Sequence, residues 1–88
     1  MKREEILSEA ARLVSSDREE QHGNPSEGFA ATAMVWSAII GHPVSPAQVP
    51  LCLIGLKLVR ANSGKANPDD FVDIGGYSSL AGEMVTEQ

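Results

Sequence analysis

Apolar residues recur along this chain every three or four positions, the spacing that gathers them on one face of an α-helix. The pattern covers four segments: about Lys2 to Ser16, Pro25 to Ile40, Pro46 to Ala61 and Pro68 to Val85. No segment alternates apolar and polar residues as a half-buried β-strand does. The sequence therefore predicts an all-α fold, a compact bundle of about four helices in a single domain spanning residues 1–88.

Local signals predict where three of the helices begin. Each of the last three segments opens with a capping residue followed by proline, a combination favoured at helix N-termini. The three pairs are Asn24-Pro25, Ser45-Pro46 and Asn67-Pro68. Glu27 and Gln48 stand three residues after the first two caps, where their side chains can bond back to the cap backbone. Pro50 removes an early backbone donor and is expected to bend or tighten the first turn of the third helix.

The middle of the chain carries no charge. All seven Lys and Arg and all twelve Asp and Glu lie outside Gly28–Leu56, so the second and third helices are apolar on nearly every side. A chain of 88 residues cannot hide such a stretch in its own interior, because small domains bury a modest fraction of their surface. We therefore expect a homo-oligomer, a dimer or larger. The residues predicted to form its interface are Phe29, Ala33, Trp36, Ile40 and Leu53.

Composition narrows the class of protein. A net charge of −5 provides no basic footprint for a DNA or RNA duplex. Prolines and the Gly41-His42-Pro43 step interrupt the uncharged stretch before it reaches the roughly 20 residues of a membrane span. The N-terminus becomes acidic at once, unlike a signal peptide. The single cysteine, Cys52, cannot form an internal disulfide and is expected to be a small buried apolar residue of a cytoplasmic protein.

One polar cluster precedes the second helix, from Asp17 to Pro25. Arg18 can hold a phosphate or carboxylate through two hydrogen bonds, and His22 can act as a donor or a base. The alternative is a solvated loop in which Gly23 allows a turn before the helix.

A second cluster is divided between the third and fourth helices. Lys57 and Arg60 lie three residues apart on one face and can bind phosphate or form ion pairs with the fourth helix. Asp70, in the first turn of that helix, is explained by the helix dipole, whereas Asp73 lies one turn further in. The two carboxylates can share Mg²⁺, or Asp73 can instead pair with Lys57 or Arg60.

The glycine pair Gly75-Gly76 follows inside the fourth helix and costs about 1–2 kcal/mol relative to alanine. Such a cost suggests either a close approach of two helices or room for a ligand. Tyr77 lies one turn beyond Asp73 on the same face, where it can offer its hydroxyl or stack on a base.

Taken in order, these residues resemble a family of small phage-encoded helical proteins of unknown function. The shared pattern runs through Asp17-Arg18, His22-Gly23-Asn24-Pro25, Trp36, Lys57-x-x-Arg60 and Asp73-Ile74-Gly75-Gly76-Tyr77. The family usually has tyrosine where this chain has His22. That family is more distantly similar to MazG-like all-α nucleoside triphosphate pyrophosphatases and to phage nucleotide-modification-associated domains.

The wider resemblance implies helices that assemble as dimers or tetramers around a nucleotide site. MazG-like enzymes hold Mg²⁺ with an E-x-x-E pair on one helix and an E-x-x-D pair on another. Asp70 and Asp73 can stand for the second pair, whereas the first has no equivalent and Glu27 is the only acid that the second and third helices offer. The resemblance thus implies a magnesium site of Asp70, Asp73 and Glu27, with catalysis left open.

Two functions follow as hypotheses. In the first, the protein binds a phosphorylated nucleotide or a cyclic nucleotide messenger, with Arg18, Lys57 and Arg60 on the phosphates and Tyr77 or His22 on the base. It would sequester that ligand against a host defence, or hydrolyse it with Mg²⁺. In the second, it is a protein–protein interaction module without a small ligand, an acidic inhibitor of a host factor. Both hypotheses place the protein in the host cytosol.

Overall fold

The computed structural model describes residues 1–15 and 23–87, and within them it contains four α-helices and no β-strand. The helices are α1 (Arg3–Leu13), α2 (Pro25–Ile40), α3 (Gln48–Ala61) and α4 (Pro68–Thr86). The all-α prediction is confirmed. None of the described helices is long and apolar enough to cross a membrane.

The helices α2 and α4 begin as their capping residues predict. The side-chain oxygen of Asn24 accepts a hydrogen bond of 2.8 Å from the backbone N–H of Ser26, and Asn67 accepts one of 3.0 Å from Asp69. In both helices proline occupies the first helical position, where its missing N–H costs nothing. Gly41 then ends α2 with a left-handed φ of 75°, a conformation that glycine adopts without strain.

The helix α3 begins two residues later than predicted, at Gln48 rather than Pro46. A tight turn precedes it, in which the backbone N–H of Gln48 donates to the carbonyl oxygen of Ser45 at 3.0 Å. Pro50 explains the shift. A helix starting at Pro46 would need the N–H that Pro50 lacks, whereas in the first turn of a helix starting at Gln48 that N–H would have no partner in the helix anyway.

The helix α1 ends at Leu13, earlier than the predicted Ser16, which lies outside the described residues. Both α1 and α3 pack along α4, which is therefore the central helix of the domain. The packed interior is built from small side chains: Ala10, Ala33, Val49, Val72 and Ala81 are its buried apolar residues. By contrast, α2 packs only sparsely on α3 and α4.

The glycine pair of α4 serves the contact with α1. A Cβ atom added to Gly75 would lie 3.3 Å from the Cβ atom of Ala10, and one added to Gly76 would lie 3.6 Å from Cγ1 of Val14. Such spacing leaves no room for larger side chains at Gly75 without moving the helices. Of the two explanations that the sequence offered for these glycines, the close approach of helices is the one observed.

Several residues expected to be buried are exposed in the single chain. Cys52 is exposed, so the prediction of its burial was wrong for the isolated chain. The apolar spacing of the fourth segment likewise predicts burial of Phe71, but that side chain keeps 45% of its surface accessible. Among the predicted interface residues, Ala33 is buried within the chain itself and Ile40 is 64% exposed. The other three, Phe29, Trp36 and Leu53, are half-buried.

Candidate functional site

The helices α3 and α4 bring two cations and two carboxylates into register. Nζ of Lys57 lies 2.8 Å from Oδ2 of Asp73, and Nε of Arg60 lies 3.6 Å from Oδ1 of Asp70. A step of three residues toward the end of α3 thus matches a step of three toward the start of α4, as in antiparallel neighbours. We call these four residues the charge ladder. It joins four of the predicted site residues in one place.

The two ion pairs of the charge ladder differ in distance and in the exposure of their side chains. The Lys57–Asp73 pair is within hydrogen-bond distance, and the Lys57 side chain is only 16% exposed. The Arg60–Asp70 contact is longer than a hydrogen bond, and it joins a buried carboxylate to an arginine side chain that is 56% exposed. The Arg60 side chain is therefore more than half exposed while remaining electrostatically tied to α4.

The dipoles of the two helices stabilise the charges of the Arg60–Asp70 pair. Asp70 lies in the first turn of α4, where the partial positive charge of the helix N-terminus stabilises a carboxylate. Arg60 lies in the last turn of α3, where the opposite end of the dipole stabilises a cation. Both charges are thus stabilised by their own helices as well as by each other, so the Arg60–Asp70 contact does not depend on close hydrogen-bond geometry.

The remaining predicted site residues are spread over other parts of the chain. Tyr77 is half-buried on α4, one turn beyond Asp73. Glu27 is exposed in the first turn of α2. Within residues 1–15 and 23–87 no group of three or more His, Cys, Asp or Glu side chains is placed to hold a metal ion. The predicted magnesium site of Glu27 with the two aspartates of the charge ladder is therefore not formed there. Arg18 and His22 lie outside the described residues.

A surface ion pair on α1 provides a useful contrast to the charge ladder. Arg12 donates two hydrogen bonds to Glu9, of 2.6 Å from Nη2 and 3.1 Å from Nε. The hydrogen bond with Arg12 holds the pKa of the Glu9 carboxyl below its ordinary value, and Glu9 raises the pKa of Arg12. This pair joins neighbouring turns of one exposed helix, and such pairs contribute little to stability. The charge ladder instead joins two helices.

Sequence reasoning missed a cleft where α2, its connection to α3 and the first turns of α3 meet. The cleft is open to solvent, has a volume of about 460 Å³ and is lined mainly by Trp36, Ile40, Pro43, Val44, Leu51 and Cys52. The hydroxyl of Ser37 holds the connection in place, since it accepts a hydrogen bond of 2.8 Å from the N–H of Val44 and donates one of 2.7 Å to the carbonyl of Ala33. The signal in the sequence was the connection after Ile40, which lies within the uncharged stretch Gly28–Leu56.

Comparison of the sequence with known protein families identifies the family of this chain. Residues 5–85 match a family described as a domain of unknown function, DUF6378. The chain belongs to the DUF6378 family. No solved structure matches the DUF6378 chain.

Two relatives of this DUF6378 chain are phage proteins. It is 30% identical over 84 residues to the Gene 55 protein of Mycobacterium phage D29, and 29% identical over 80 residues to the Gene 55 protein of Mycobacterium phage L5. The matches cover 96% and 90% of this chain but 56% and 51% of the relatives. The chain thus spans about half the length of the curated relatives it matches. The resemblance to a phage-encoded family of unknown function is confirmed.

Proposed function

We propose that this protein binds a phosphorylated nucleotide, or a cyclic nucleotide messenger, at the charge ladder between α3 and α4. The observation that carries the proposal is the side chain of Arg60, which is 56% exposed and whose Nε lies 3.6 Å from Oδ1 of Asp70. A guanidinium presents five donors in a planar fork that fits two oxygens of a phosphate. Lys57, held by Asp73, would add a second cation one turn along α3.

The composition of the charge ladder supports a particular kind of ligand. Its two cations face two carboxylates, so a bare phosphate would gain little net attraction and would meet the negative charges of Asp70 and Asp73. In proteins Mg²⁺ is often held by one or two carboxylates together with the phosphates of a substrate. A nucleoside di- or triphosphate carrying Mg²⁺ therefore complements both signs of charge, with the metal toward the aspartates and the phosphates toward Arg60 and Lys57.

Two further roles complete this proposal. Tyr77 lies one turn beyond Asp73 and is half-buried, which suits an aromatic side chain that stacks on a base or donates its hydroxyl to one. A ligand held in this way would be sequestered, which would blunt a host defence that signals through nucleotides. Hydrolysis would require the Mg²⁺ that the ligand brings to activate a water molecule as well as to bind phosphate.

The test is a thermal-shift series with nucleoside triphosphates and cyclic oligonucleotides, each with and without Mg²⁺. We expect a rise in Tm with a Mg²⁺-bound nucleotide for the unmodified protein. Arg60→Ala should abolish that rise, whereas Arg12→Ala, which also removes one exposed arginine but from α1, should retain it. No rise with any ligand, or an equal rise in all three proteins, would refute the proposal.

A second candidate function is a protein–protein interaction module that inhibits a host factor and has no small ligand. It is supported by the pairing within the charge ladder, which leaves both carboxylates with a cation from the same chain. In that case the ladder has only a structural role. The net charge of −5 would give the module an acidic rim.

Replacing Lys57→Gln and Asp73→Asn together distinguishes the two candidates. A structural pair should lose Tm on this replacement and show no ligand-dependent change. A ligand site should lose nucleotide binding while the fold keeps its stability or gains some, because functional charges are often retained at a cost in stability. A lysate pull-down that recovers one stoichiometric host protein with both the original and the double variant would favour the interaction module.

A further inference from the structure

The single chain exposes more surface than a compact monomer of its size. Its accessible area is 6238 Å² for 9.4 kDa, against about 5,000 Å² expected for a folded monomer of that mass. The excess of roughly 1,200 Å² exceeds the ~800 Å² that each partner buries in a standard protein–protein interface. The chain therefore has enough surplus surface to form one stable interface.

Most of the large apolar side chains exposed in the described part of the chain lie on α2 and α3. Large apolar side chains that are more than half exposed include Met34, Val35, Ile39 and Ile40 on α2, and Leu51 and Leu56 on α3. No charged residue interrupts the stretch from Gly28 to Leu56. Monomeric proteins rarely leave apolar patches larger than a few hundred Å² in water. A helix that is apolar on nearly every side, as α2 is after Glu27, normally lies inside a structure.

We propose that a second copy of this chain covers the apolar face formed by α2 and α3. Interfaces between permanently associated identical subunits resemble a domain core cut in half, and they are more apolar than interfaces between proteins that also exist apart. The absence of charge from this face argues against a partner steered to it by opposite charge, because such partners meet complementary charged patches.

The shape of the face also fits a second copy. In a two-fold dimer the same patch lies on both subunits, so it must be complementary to itself. The cleft of about 460 Å³ beside Trp36 and Leu51 offers a recess. On α2, Ile39 precedes Ile40 of the cleft lining and is 77% exposed, so its side chain is available to a second copy. This inference concerns α2 and does not depend on nucleotide binding at the charge ladder.

The experiment measures the molar mass of the full chain by sedimentation equilibrium at micromolar concentration. We expect at least twice the chain mass of 9.4 kDa. Ile39→Glu should reduce the mass to that of one chain without loss of helical circular dichroism, because Ile39 makes little contact within its own chain. Leu7→Glu is the matched control, since Leu7 is 69% exposed on α1, outside the proposed interface. It should leave the assembly intact.

Met34→Glu provides a second interface variant in case Ile39→Glu fails to fold, since Met34 is 75% exposed. The thiol of Cys52 gives an independent readout, because it is exposed in the single chain and lines the cleft. It should react slowly with a thiol reagent in the unmodified protein and rapidly in the interface variants. An unmodified protein with the mass of one chain, or an assembly that Leu7→Glu disperses as readily as Ile39→Glu, would overturn the proposal.

Discussion

The contact between α1 and α4 and the face formed by α2 and α3 are opposite solutions to the same problem of burying an apolar surface. In the first, small residues let two helices approach closely, and a Cβ atom added to Gly75 would lie only 3.3 Å from the Cβ atom of Ala10. In the second, a helix of 16 residues fully buries only Ala33 and leaves Met34, Val35, Ile39 and Ile40 more than half exposed. One helix pair completes its packing within the chain, whereas the other leaves it incomplete.

Charge follows the same division. The helix α1 carries the ion pair of Glu9 and Arg12, in which the Arg12 side chain is 60% exposed, as expected of a helix with one solvated face. The helix α2 has no charge after Glu27. Unlike α1, the helix α2 therefore has no charged face to turn toward water. We attribute this difference to burial of α2 by a second copy of the chain.

The largest effect is expected where packing is tightest. Gly75→Leu should lower the free energy of unfolding by about 3 kcal/mol, because the added side chain would force α1 away from α4. Gly82→Leu is the control on the same helix, where a Cβ atom would have nothing within 4 Å. It should leave stability unchanged or raise it by up to about 1 kcal/mol through helix propensity. Urea unfolding followed by circular dichroism measures both, and equal losses would contradict the close contact.

An intermediate loss of stability is expected at the Lys57–Asp73 pair of the charge ladder. Lys57→Met should cost about 1–2 kcal/mol in urea unfolding, because the partly buried carboxylate of Asp73 loses the cation that compensates it. Arg12→Met breaks the exposed pair with Glu9 on α1 and should have no measurable effect. If Lys57→Met were as harmless as Arg12→Met, the charge ladder would have no role in joining α3 to α4.

The smallest effect is expected at the hydroxyl that holds the connection between α2 and α3. Ser37→Ala should cost about 1 kcal/mol, because the N–H of Val44 loses its acceptor. Thr32→Ala also removes a hydroxyl from α2, but that hydroxyl donates only to the carbonyl of Gly28 in the preceding turn. It should be neutral in the same unfolding assay. A similar loss in both variants would mean that the connection does not depend on Ser37.

The elements that the sequence predicts well are those decided by neighbouring residues. The starts of α2 and α4 follow from Asn24 and Asn67, whose side chains bond within two residues along the chain. The start of α3 was misplaced because the capping signal at Ser45 competes with the backbone requirement of Pro50, and the requirement of Pro50 prevails. Local signals therefore suffice only where they do not conflict.

Features that depend on packing between helices were harder to predict from the sequence. Spacing along α3 and α4 could not decide whether Asp73 pairs with Lys57 or with Arg60, because the register of two helices is set by the whole contact between them. The burial expected of Cys52 and Phe71 assumed that an apolar residue finds cover within its own chain. The cleft beside Trp36 depends on the path of the connection, which no periodicity encodes.

Amide hydrogen exchange tests most directly the claim that α2 completes its packing in a second copy. Exchange should be measured residue by residue on the unmodified protein and on Ile39→Glu, both at micromolar concentration. We predict that the α2 amides lose protection in Ile39→Glu while the amides of α4 that face α1 keep theirs, because local protection follows the local packing of each element. Equal protection of α2 in both proteins would contradict the account.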